Sequence, residues 1–549
     1  MVVLMIIGLS DVSSTVSKAL MARQAEQVRL RRIANYVRGR QDPPYIPRGV
    51  NAEYRWIAKK ARRNFLPLVI DVISENLHVD GYRPSGTTAN EMAVPNKKQP
   101  EWDAFRANRM VSRQHGVHRA VIKYGSAYTV VLPGQMSSDE EQLADVPVIR
   151  PVSPRRMTAF YADDVDDEWP QFAIEVNIIN IPAGSSSVLN TGAVAAGSTS
   201  ARMLVYVYDE INRYILTGPV SSDLANTHLE LADPADVLVQ GQPVIASHGM
   251  GVCPVVRFLY EVDLDSEEDC TGEIEPIMPI QDQINFDTFN LMISTQFAAF
   301  RQRYVSGMSP VDEDGREQAP FRPGVDRVWA SDDPATKFGE FGETALQPYS
   351  MVREDGIRHM STISQVPPYH LLGQVANMSA EALAAARDGL DRKIEELQAG
   401  MTDPWRNVFR LASLAGGNKD GWNDLFGTVV WRDTSARAFG STIQGLAIIA
   451  AQLGVPEEEL WARIPGATAD DVASWQLASQ REKAQAIVQQ MISQQMAVAP
   501  GGAPPAAAAA VGGAPPGAPS LPGGAAETPT PPGGFPAATP PGPQPGGGP

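Results

Sequence analysis

Apolar positions recur along this chain with two different periods, near 3.6 and near 2, and the change from one to the other divides it. Between Ser17 and Arg38 there is no Gly or Pro, and Leu20, Val28, Ile33 and Val37 form a loose stripe beside Arg23, Arg29, Arg31, Arg32 and Arg38. This predicts a helix stopped by Gly39, with an extended run after it through Pro43, Pro44 and Pro47. The arginines are read as a solvated face in preference to a nucleic-acid contact. Arg55 to Leu77 predicts a helix that buries Trp56, Phe65, Val69, Val72 and Ile73 and is bent or restarted at Pro67. A strand at His78–Tyr82, a helix at Trp102–Lys123 and strands at Tyr124–Leu132, Val146–Val152, Phe172–Ile179, Met203–Tyr208 and Val255–Tyr260 follow. Together they predict an α+β region with a mainly antiparallel sheet, interrupted by a mobile Gly/Ser-rich loop at Ala183–Ser200.

From about Glu275 the helical period takes over. Phe286, Phe289, Ile293, Phe297, Phe300 and Tyr304 are spaced by three and four, which predicts one face of a long helix ended by Gly307 and Pro310. A turn-rich module with a strand at Val325–Ala330 comes next, then a helix at Pro348–Ile363 that breaks at Gln365-Val-Pro-Pro-Tyr-His370. Helix resumes after Ser379, an N-cap, and runs to Leu414 with Leu383, Leu390, Ile394, Leu397 and Met401 on one stripe and a kink at Pro404. Thr428–Arg432 is a lone strand, so its partner must lie in the earlier region. Helices at Thr442–Leu453, Glu457–Ile464 and Ala469–Met496 close the folded part. From Ala497 to Pro549 there are 16 Pro and 13 Gly in 53 residues, too little apolar surface to offset the entropy of ordering, so a flexible tail is expected.

Composition narrows the function classes. A chain of 549 residues with 43% hydrophobic and 20% charged residues can bury several cores. Its net charge of −17 disfavours a tight grip on DNA, because such affinity comes from cationic side chains that release counterions. An acidic surface suits a task in which DNA slides past. Cys253 and Cys270 are too few for a disulfide framework and fit a reducing cytoplasm. Met1–Leu9 is apolar but far shorter than the roughly 20 residues of a membrane helix, and reads as a disordered or packed tip. No other stretch is long enough to span a bilayer.

Candidate chemistry is sparse. No Gly is followed by Lys, so there is no P-loop, and neither a serine elbow nor a zinc-protease helix pattern occurs. His115 and His118 lie three apart on an expected helix but lack a nearby third ligand. The cluster Asp163, Asp164, Asp166, Asp167 and Glu168 reads as a solvated loop. Another, Glu261, Asp263, Asp265, Glu267, Glu268 and Asp269, resembles a calcium loop until Glu268 replaces the required Gly. A metal-dependent nuclease using these carboxylates, and a head-tail adaptor or scaffold, stand as alternatives.

The order of short segments is more informative than any one of them. They are Ile33-Ala-Asn-Tyr-Val-Arg-Gly39, Arg63-Asn-Phe-Leu-Pro-Leu-Val-Ile-Asp71, Leu77-His-Val-Asp-Gly-Tyr82, Trp102 and Lys123-Tyr-Gly-Ser-Ala-Tyr128. His248-Gly-Met-Gly-Val-Cys-Pro-Val-Val256, Pro279-Ile-Gln-Asp-Gln-Ile-Asn285 and Phe300-Arg-Gln-Arg-Tyr-Val-Ser-Gly307 follow, with Asn377-Met-Ser-Ala-Glu-Ala-Leu383 and Val430-Trp-Arg-Asp433 last. In this order, over roughly Gln24–Ala469, the chain resembles the portal proteins of tailed phages, in the Gp6-like branch of siphophages.

The resemblance implies a ring, typically of twelve subunits, that conducts DNA into and out of the virion and is not an enzyme. It implies no catalytic residue, metal or cofactor. An extension at 1–23 would precede a wing at 24–273, completed by the returning strand 428–432. Stem helices would be 274–307 and 348–363, flanking a clip at 308–347. Within the clip, Pro310, Asp314, Arg322, Arg327, Trp329 and Lys337 would meet the terminase or the adaptor. The tunnel loop at the narrowest channel point would span 364–378. Its channel residues would be Gln365, Val366, Pro367, Pro368, Tyr369, His370, Leu371, Leu372, Gly373, Gln374, Val375, Ala376, Asn377 and Met378, a segment neither helix nor strand. A spine helix at 379–414, a crown at 441–496 and the tail at 497–549 complete the order. Implied partners are other copies of the chain, the major capsid protein, the terminase large subunit, the head-to-tail adaptor and double-stranded DNA passing without sequence specificity. No membrane is implied, and the place is the capsid vertex of the virion, after assembly in the bacterial cytoplasm.

Truncation after Met496 is expected to leave soluble, folded protein, because almost no large apolar side chain is lost. Circular dichroism and soluble yield check this, and loss of soluble protein would show that the tail packs.

Overall fold

The period-2 segments pair into antiparallel ladders, and the helices cover them. In the computed structural model the described residues are 12–46, 52–86, 99–134, 146–163, 166–181, 200–219, 244–261, 270–299, 303–307, 334–340, 342, 345–373, 380–432, 439–464, 467 and 469–497. By compactness the chain divides into residues 1–483 and a second unit, 484–549, described only as the end of its helix.

Helix α1 (Val12–Val37) starts earlier than its Gly-free stretch suggested. Its first turns are therefore no separate extension: Val12, Val16 and Ala19 are buried against Ile174, Val176, Met203 and Val205 of a sheet. The expected 55–77 helix is two, α2 (Ala52–Ala61) and α3 (Leu66–Ser74), because Pro67 opens the first turn of α3. Trp56, expected in the core, is 61% exposed, since α2 presents Ile57, Ala58 and Ala61 instead. Val28 is likewise exposed, and Leu30, Ile33 and Ala34 take the buried face of α1. Strand β1 (Val79–Arg83) is followed by α4 (Pro100–Ala107) and α5 (Met110–Tyr124), which are separated where Arg109 turns left-handed at φ 57°.

A three-stranded sheet has the order β3-β2-β9, from β2 (Ser126–Leu132), β3 (Val148–Val152) and β9 (Val255–Leu259). Five further strands pair in sequence order: β4 (Met157–Phe160), β5 (Phe172–Ile181), β6 (Ser200–Tyr208), β7 (Asn212–Pro219) and β8 (Val244–Ser247). Strands β4, β7 and β8 were not foreseen, being short or interrupted by Asn, Arg and Thr. The two sheets share a core of Tyr128, Val130, Val152, Met157, Tyr208, Cys253 and Val255. Between them Arg150 donates two hydrogen bonds to the fully buried Glu175 carboxylate at 2.6 and 2.5 Å, and burial thereby stays compatible with charge. The loop expected at Ala183–Ser200 lies outside the described residues up to Thr199, and Ser200 begins β6.

The helical half contains α6 (Ile274–Ala299), α7 (Gln347–Ser364), the short α8 (Pro368–Leu372) and α9 (Ala380–Ala415), which runs through Pro404 without ending. A one-turn α10 (Lys419–Trp422), α11 (Phe439–Leu453), α12 (Glu457–Leu460) with a 3₁₀ turn at Trp461–Arg463, and α13 (Ala469–Ala497) follow. The lone strand β12 (Thr428–Trp431) does return, pairing antiparallel with β1 so that Val430 lies opposite Gly81 and Val429 opposite Tyr82. Only β1 receives it, and the two form a sheet of their own.

Trp405 of α9, fully buried, ties these layers together. Its ring meets Phe258 of β9 edge-on at 4.8 Å and Phe105 of α4 at 5.7 Å. Trp405 Nε1–H donates to His118 Nε2 at 3.1 Å, and His118 Nδ1–H donates to the Leu77 carbonyl at 3.0 Å. The imidazole is thus held neutral in one tautomer, and burial pushes its pKa down from 6.5 to about 3. The unfolded chain takes up this proton as pH falls through 6.5, the native state only near pH 3. Stability from this group is therefore complete above pH 6.5 and declines below it. Relative to a His118→Gln variant, the parent is expected to lose about 2 kcal/mol between pH 7.5 and 5. Urea denaturation of both at the two pH values checks this, and a constant difference would show that His118 takes up its proton as readily in the fold as in the unfolded chain.

Candidate functional site: the paired helices and the segment at Gln365–Gly373

Helices α6 and α7 lie side by side because Gly356 gives α7 a bare strip of backbone: a Cβ there would stand 3.0 Å from Ile284 Cγ1 of α6. Ile284, Ile357 and Met360 seal the contact in the main core. The long helix expected to reach Gly307 ends at Ala299 instead. Tyr304 belongs to β10 (Arg303–Ser306), which pairs with β11 (Lys337–Glu340), so cross-strand pairing overrode a spacing that also suits a helix. The Tyr304 ring covers Gly339, its direct partner, occupying the space a side chain would need. Lys337 is an exposed residue of β11 opposite Ser306. The other clip residues expected to meet partners, Pro310, Asp314, Arg322, Arg327 and Trp329, lie outside the described residues, as does the strand at Val325–Ala330.

Helix α7 ends where Gln365 adopts a left-handed conformation at φ 55°. Ser361 Oγ–H donates to the Val366 carbonyl at 2.5 Å and Ser364 Oγ–H to the Met360 carbonyl at 2.8 Å, so the turn is closed by hydroxyls. Pro367 sets up the one-turn α8, which Gly373 ends at φ 66°. The expectation of a segment neither helix nor strand is therefore corrected for Pro368–Leu372: Pro is favoured in a first helical turn, and two prolines here start a helix as readily as they break one. Burial varies along the segment. Val366 and Leu371 are buried in the main core, while Gln365, Pro368, His370 and Gly373 are exposed. Tyr369 stacks obliquely on His370, whose pKa is lowered by partial burial and then by Arg387. Gln374, Val375, Ala376, Asn377 and Met378 lie outside the described residues, as does Ser379, the expected N-cap.

The segments singled out in the sequence come together around this frame. Chain breaks at Arg63–Phe65 leave backbone groups without helical partners, and side chains of α6 take them. Asn285 Oδ1 accepts from Arg63 N–H at 2.8 Å, Gln281 Oε1 accepts from Phe65 N–H at 2.9 Å, and Gln281 Nε2–H donates to the Arg63 carbonyl at 2.9 Å. Tyr36 O–H donates to Asp282 at 2.7 Å, and Asn64 Nδ2–H to the Val37 carbonyl at 2.8 Å. Three of the quoted motifs are thus one polar junction joining α1, α3 and α6. No signal in the local pattern announced that Gln281 and Asn285 would be buried.

Four of the residues weighed as metal ligands, His118, Asp163, Asp167 and Glu168, are otherwise employed. His118 has both ring nitrogens committed to Leu77 and Trp405. Asp167 accepts from the Ala162 and Asp163 N–H groups at 3.0 Å, Asp163 accepts from Asp166 N–H at 3.2 Å, and Glu168 pairs with the buried Arg410. Asp164 and the cluster from Asp263 to Asp269 lie outside the described residues. Among the described residues no group of three His, Cys, Asp or Glu side chains is placed to hold a metal, and no helix is long and apolar enough to cross a membrane. Of the arginines on α1, Arg23 is 7% exposed, donates to the Arg155 carbonyl, and has its pKa lowered to about 10 by burial, while Arg29 pairs with Glu275 at 2.7 Å. These two bind the helix to its neighbours and are no solvated face.

Sequence comparison gives the family of this chain. The model of the phage portal protein family, SPP1 Gp6-like, matches residues 22–486. The chain belongs to that family. The portal protein of Mycobacterium phage D29 is 27% identical over 201 residues, 35% of this chain and 41% of that protein. The portal protein of Mycobacterium phage L5 is 26% identical over 200 residues, with the same shares, so the chain spans less than half the length of either relative. Among solved structures, a chain in the virion of a native gene transfer agent particle aligns at a TM-score of 0.40 and 12% identity, covering 77% of this chain and 96% of that one. A chain in the neck of an empty gene transfer agent particle, computed with C6 symmetry, aligns at 0.35 and 12%, covering 77% and 94%.

At Gln365 a side chain occupies a backbone region that favours glycine, so Gln365→Gly is expected to be neutral or to stabilise by up to about 1 kcal/mol. Leu371→Ala, in contrast, is expected to cost about 2–4 kcal/mol through a core cavity. Thermal and urea denaturation of the two variants check the pair, and equal effects would contradict the burial described.

Proposed function

We propose that the chain is the repeating subunit of a portal ring at one capsid vertex, a conduit for DNA in packaging and ejection. The carrying observation is the family match across residues 22–486. The stem is read as α6 with α7, the clip as 308–347, the tunnel segment as 364–378, the spine as α9 and the crown as 441–496. Copies of the chain, twelve in number, meet through the stem. The clip meets the terminase large subunit and later the head-to-tail adaptor, and the major capsid protein is a further partner. Its place is the virion, after assembly in the host cytoplasm.

Surface chemistry supports this reading. Phe286 on α6 and Met351, Val352 and Ile363 on α7 are 44–57% exposed, on helices whose other faces are already packed in the core. Apolar side chains concentrated there suit a contact with the next subunit, and heterologous contacts close into rings. The net charge of −17 suits a passage that does not hold DNA. No step of the task requires catalysis by this chain, since the energy of DNA movement comes from a separate motor.

Negative-stain images of the purified protein are expected to show rings with a central hole, and native mass spectrometry a single large multiple of the 59.2 kDa chain. Met351→Lys with Val352→Glu is expected to leave the subunit folded, both sites being exposed, while shifting it to small species. A parent protein that stays monomeric at micromolar concentration would sink the reading.

A further inference from the structure

Helix α7 ends against a buried charged chain that its capping turn does not require. The left-handed turn at Gln365 leaves the Ser364 carbonyl pointing beyond the helix, and Lys393 of α9 donates to it from Nζ at 3.1 Å. The same ammonium donates to Glu273 at 2.6 Å, and Tyr260 O–H donates to that carboxylate oxygen at 2.5 Å. The Lys393 and Glu273 side chains are 14% and 7% exposed. Glu273 is itself immobile: its N–H donates to the Ile122 carbonyl at 2.9 Å, and Tyr260 N–H to the Gly125 carbonyl at 2.8 Å. Gly125, at φ 88°, lies so close under the Cys270–Thr271 backbone that a side chain there has no room.

A buried ion pair is a poor source of net stability, since desolvating both charges offsets most of their attraction. What it supplies is position, because breaking it leaves an uncompensated charge and an unpaired carbonyl. From this geometry we propose that Lys393 is a positioning residue, which locks the last turn of α7 to α9, to Glu273 and through it to Tyr260, the residue after β9, and so sets where Gln365–Gly373 stands. A cation at a helix C-terminus is also favoured by the partial negative charge of the terminal carbonyls. Displacement of Gln365–Gly373 along the axis of α7 pulls the Ser364 carbonyl from Lys393, and that strain reaches Glu273 and through it Tyr260. The latch is a local property of the subunit; its bearing on DNA passage rests on the reading of this segment as the channel constriction.

The test uses full-length rings carrying Lys393→Met, Lys393→Arg or Glu273→Gln. Hydrogen exchange is expected to speed up at least about tenfold at the amides of Gln365, Leu371 and Leu372 in Lys393→Met, with β5 and β6 unchanged, because a buried charge-assisted hydrogen bond is lost. Lys393→Arg is expected to restore most of the protection. If Lys393→Met fails to assemble, Glu273→Gln, which keeps size and a hydrogen-bonding oxygen, reports the same local loosening. Exchange that is unchanged at 365–372, or that rises equally in β5 and β6, overturns the proposal. DNA packaged per head is the separate arm. Loosening of the segment with packaging intact keeps the latch and removes the channel reading, whereas loosening with reduced packaging supports both.

Discussion

The arrangement of the whole subunit depends on how Trp405 is buried. An indole placed mid-helix carries a large apolar surface and one polar hydrogen, and the structure satisfies both by setting Phe105 and Phe258 against the ring and giving the hydrogen to His118. That single placement makes the second half of α9 the floor on which the three-stranded sheet, α4 and α5 rest. Val408, Phe409, Leu411 and Ala412 continue the same buried stripe, and Tyr82 stacks on Phe409 at 4.4 Å to bring in β1 and its returning partner β12. The histidine pays for its burial by giving up its charge, which makes the fold's centre neutral and its stability dependent on pH.

From that floor the helical frame extends in one direction with decreasing internal support. The first half of α9 keeps Leu390, Ile394 and Leu397 buried, while Leu383 near its start is already 38% exposed. Helices α6 and α7 also leave apolar side chains outside, Phe286 on α6 and Met351, Val352 and Ile363 on α7, although Ile277, Met278, Ile284 and Phe289 of α6 are buried. Apolar side chains left outside on helices otherwise packed in the core are the surface that the proposed contact between copies would use. Charged residues do a different job. Arg150 with Glu175, Arg410 with Glu168 and Lys393 with Glu273 all join separate elements, and each has at least one partner nearly inaccessible to water. Arg410 in addition lies 4.9 Å from the Trp422 ring, which closes the far end of α9 against α10.

Several elements were legible because their burial follows one local period. The stripe Leu390, Ile394, Leu397 and Met401 repeats at helical spacing over many turns, and α9 appears within a residue of its expected ends. Thr428–Trp431, apolar and β-branched in a helical neighbourhood, had to seek a partner elsewhere, and it found β1. Tyr304 failed because a spacing of four from Phe300 is a helical signal only if the chain between is free to coil. Pairing with Lys337–Glu340, more than thirty residues away, decided otherwise. At Pro367–Pro368 the residues were compatible with both a loop and a helix start, and burial of Val366 and Leu371 chose the second.

Sequence alone determined most of the long helices, the longer strands and, through the order of its motifs, the family to which the chain belongs. These are local or cumulative properties, and a one-dimensional pattern carries them in full. Only the tertiary structure decided the roles of single polar residues: Gln281 and Asn285 as partners for a broken helix, His118 as a neutral acceptor, Lys393 as the bond between the end of α7 and Glu273. A buried polar group is tolerated only where a specific distant atom satisfies it. The identity of that atom depends on how elements hundreds of residues apart are brought together, and no periodicity in the chain records it.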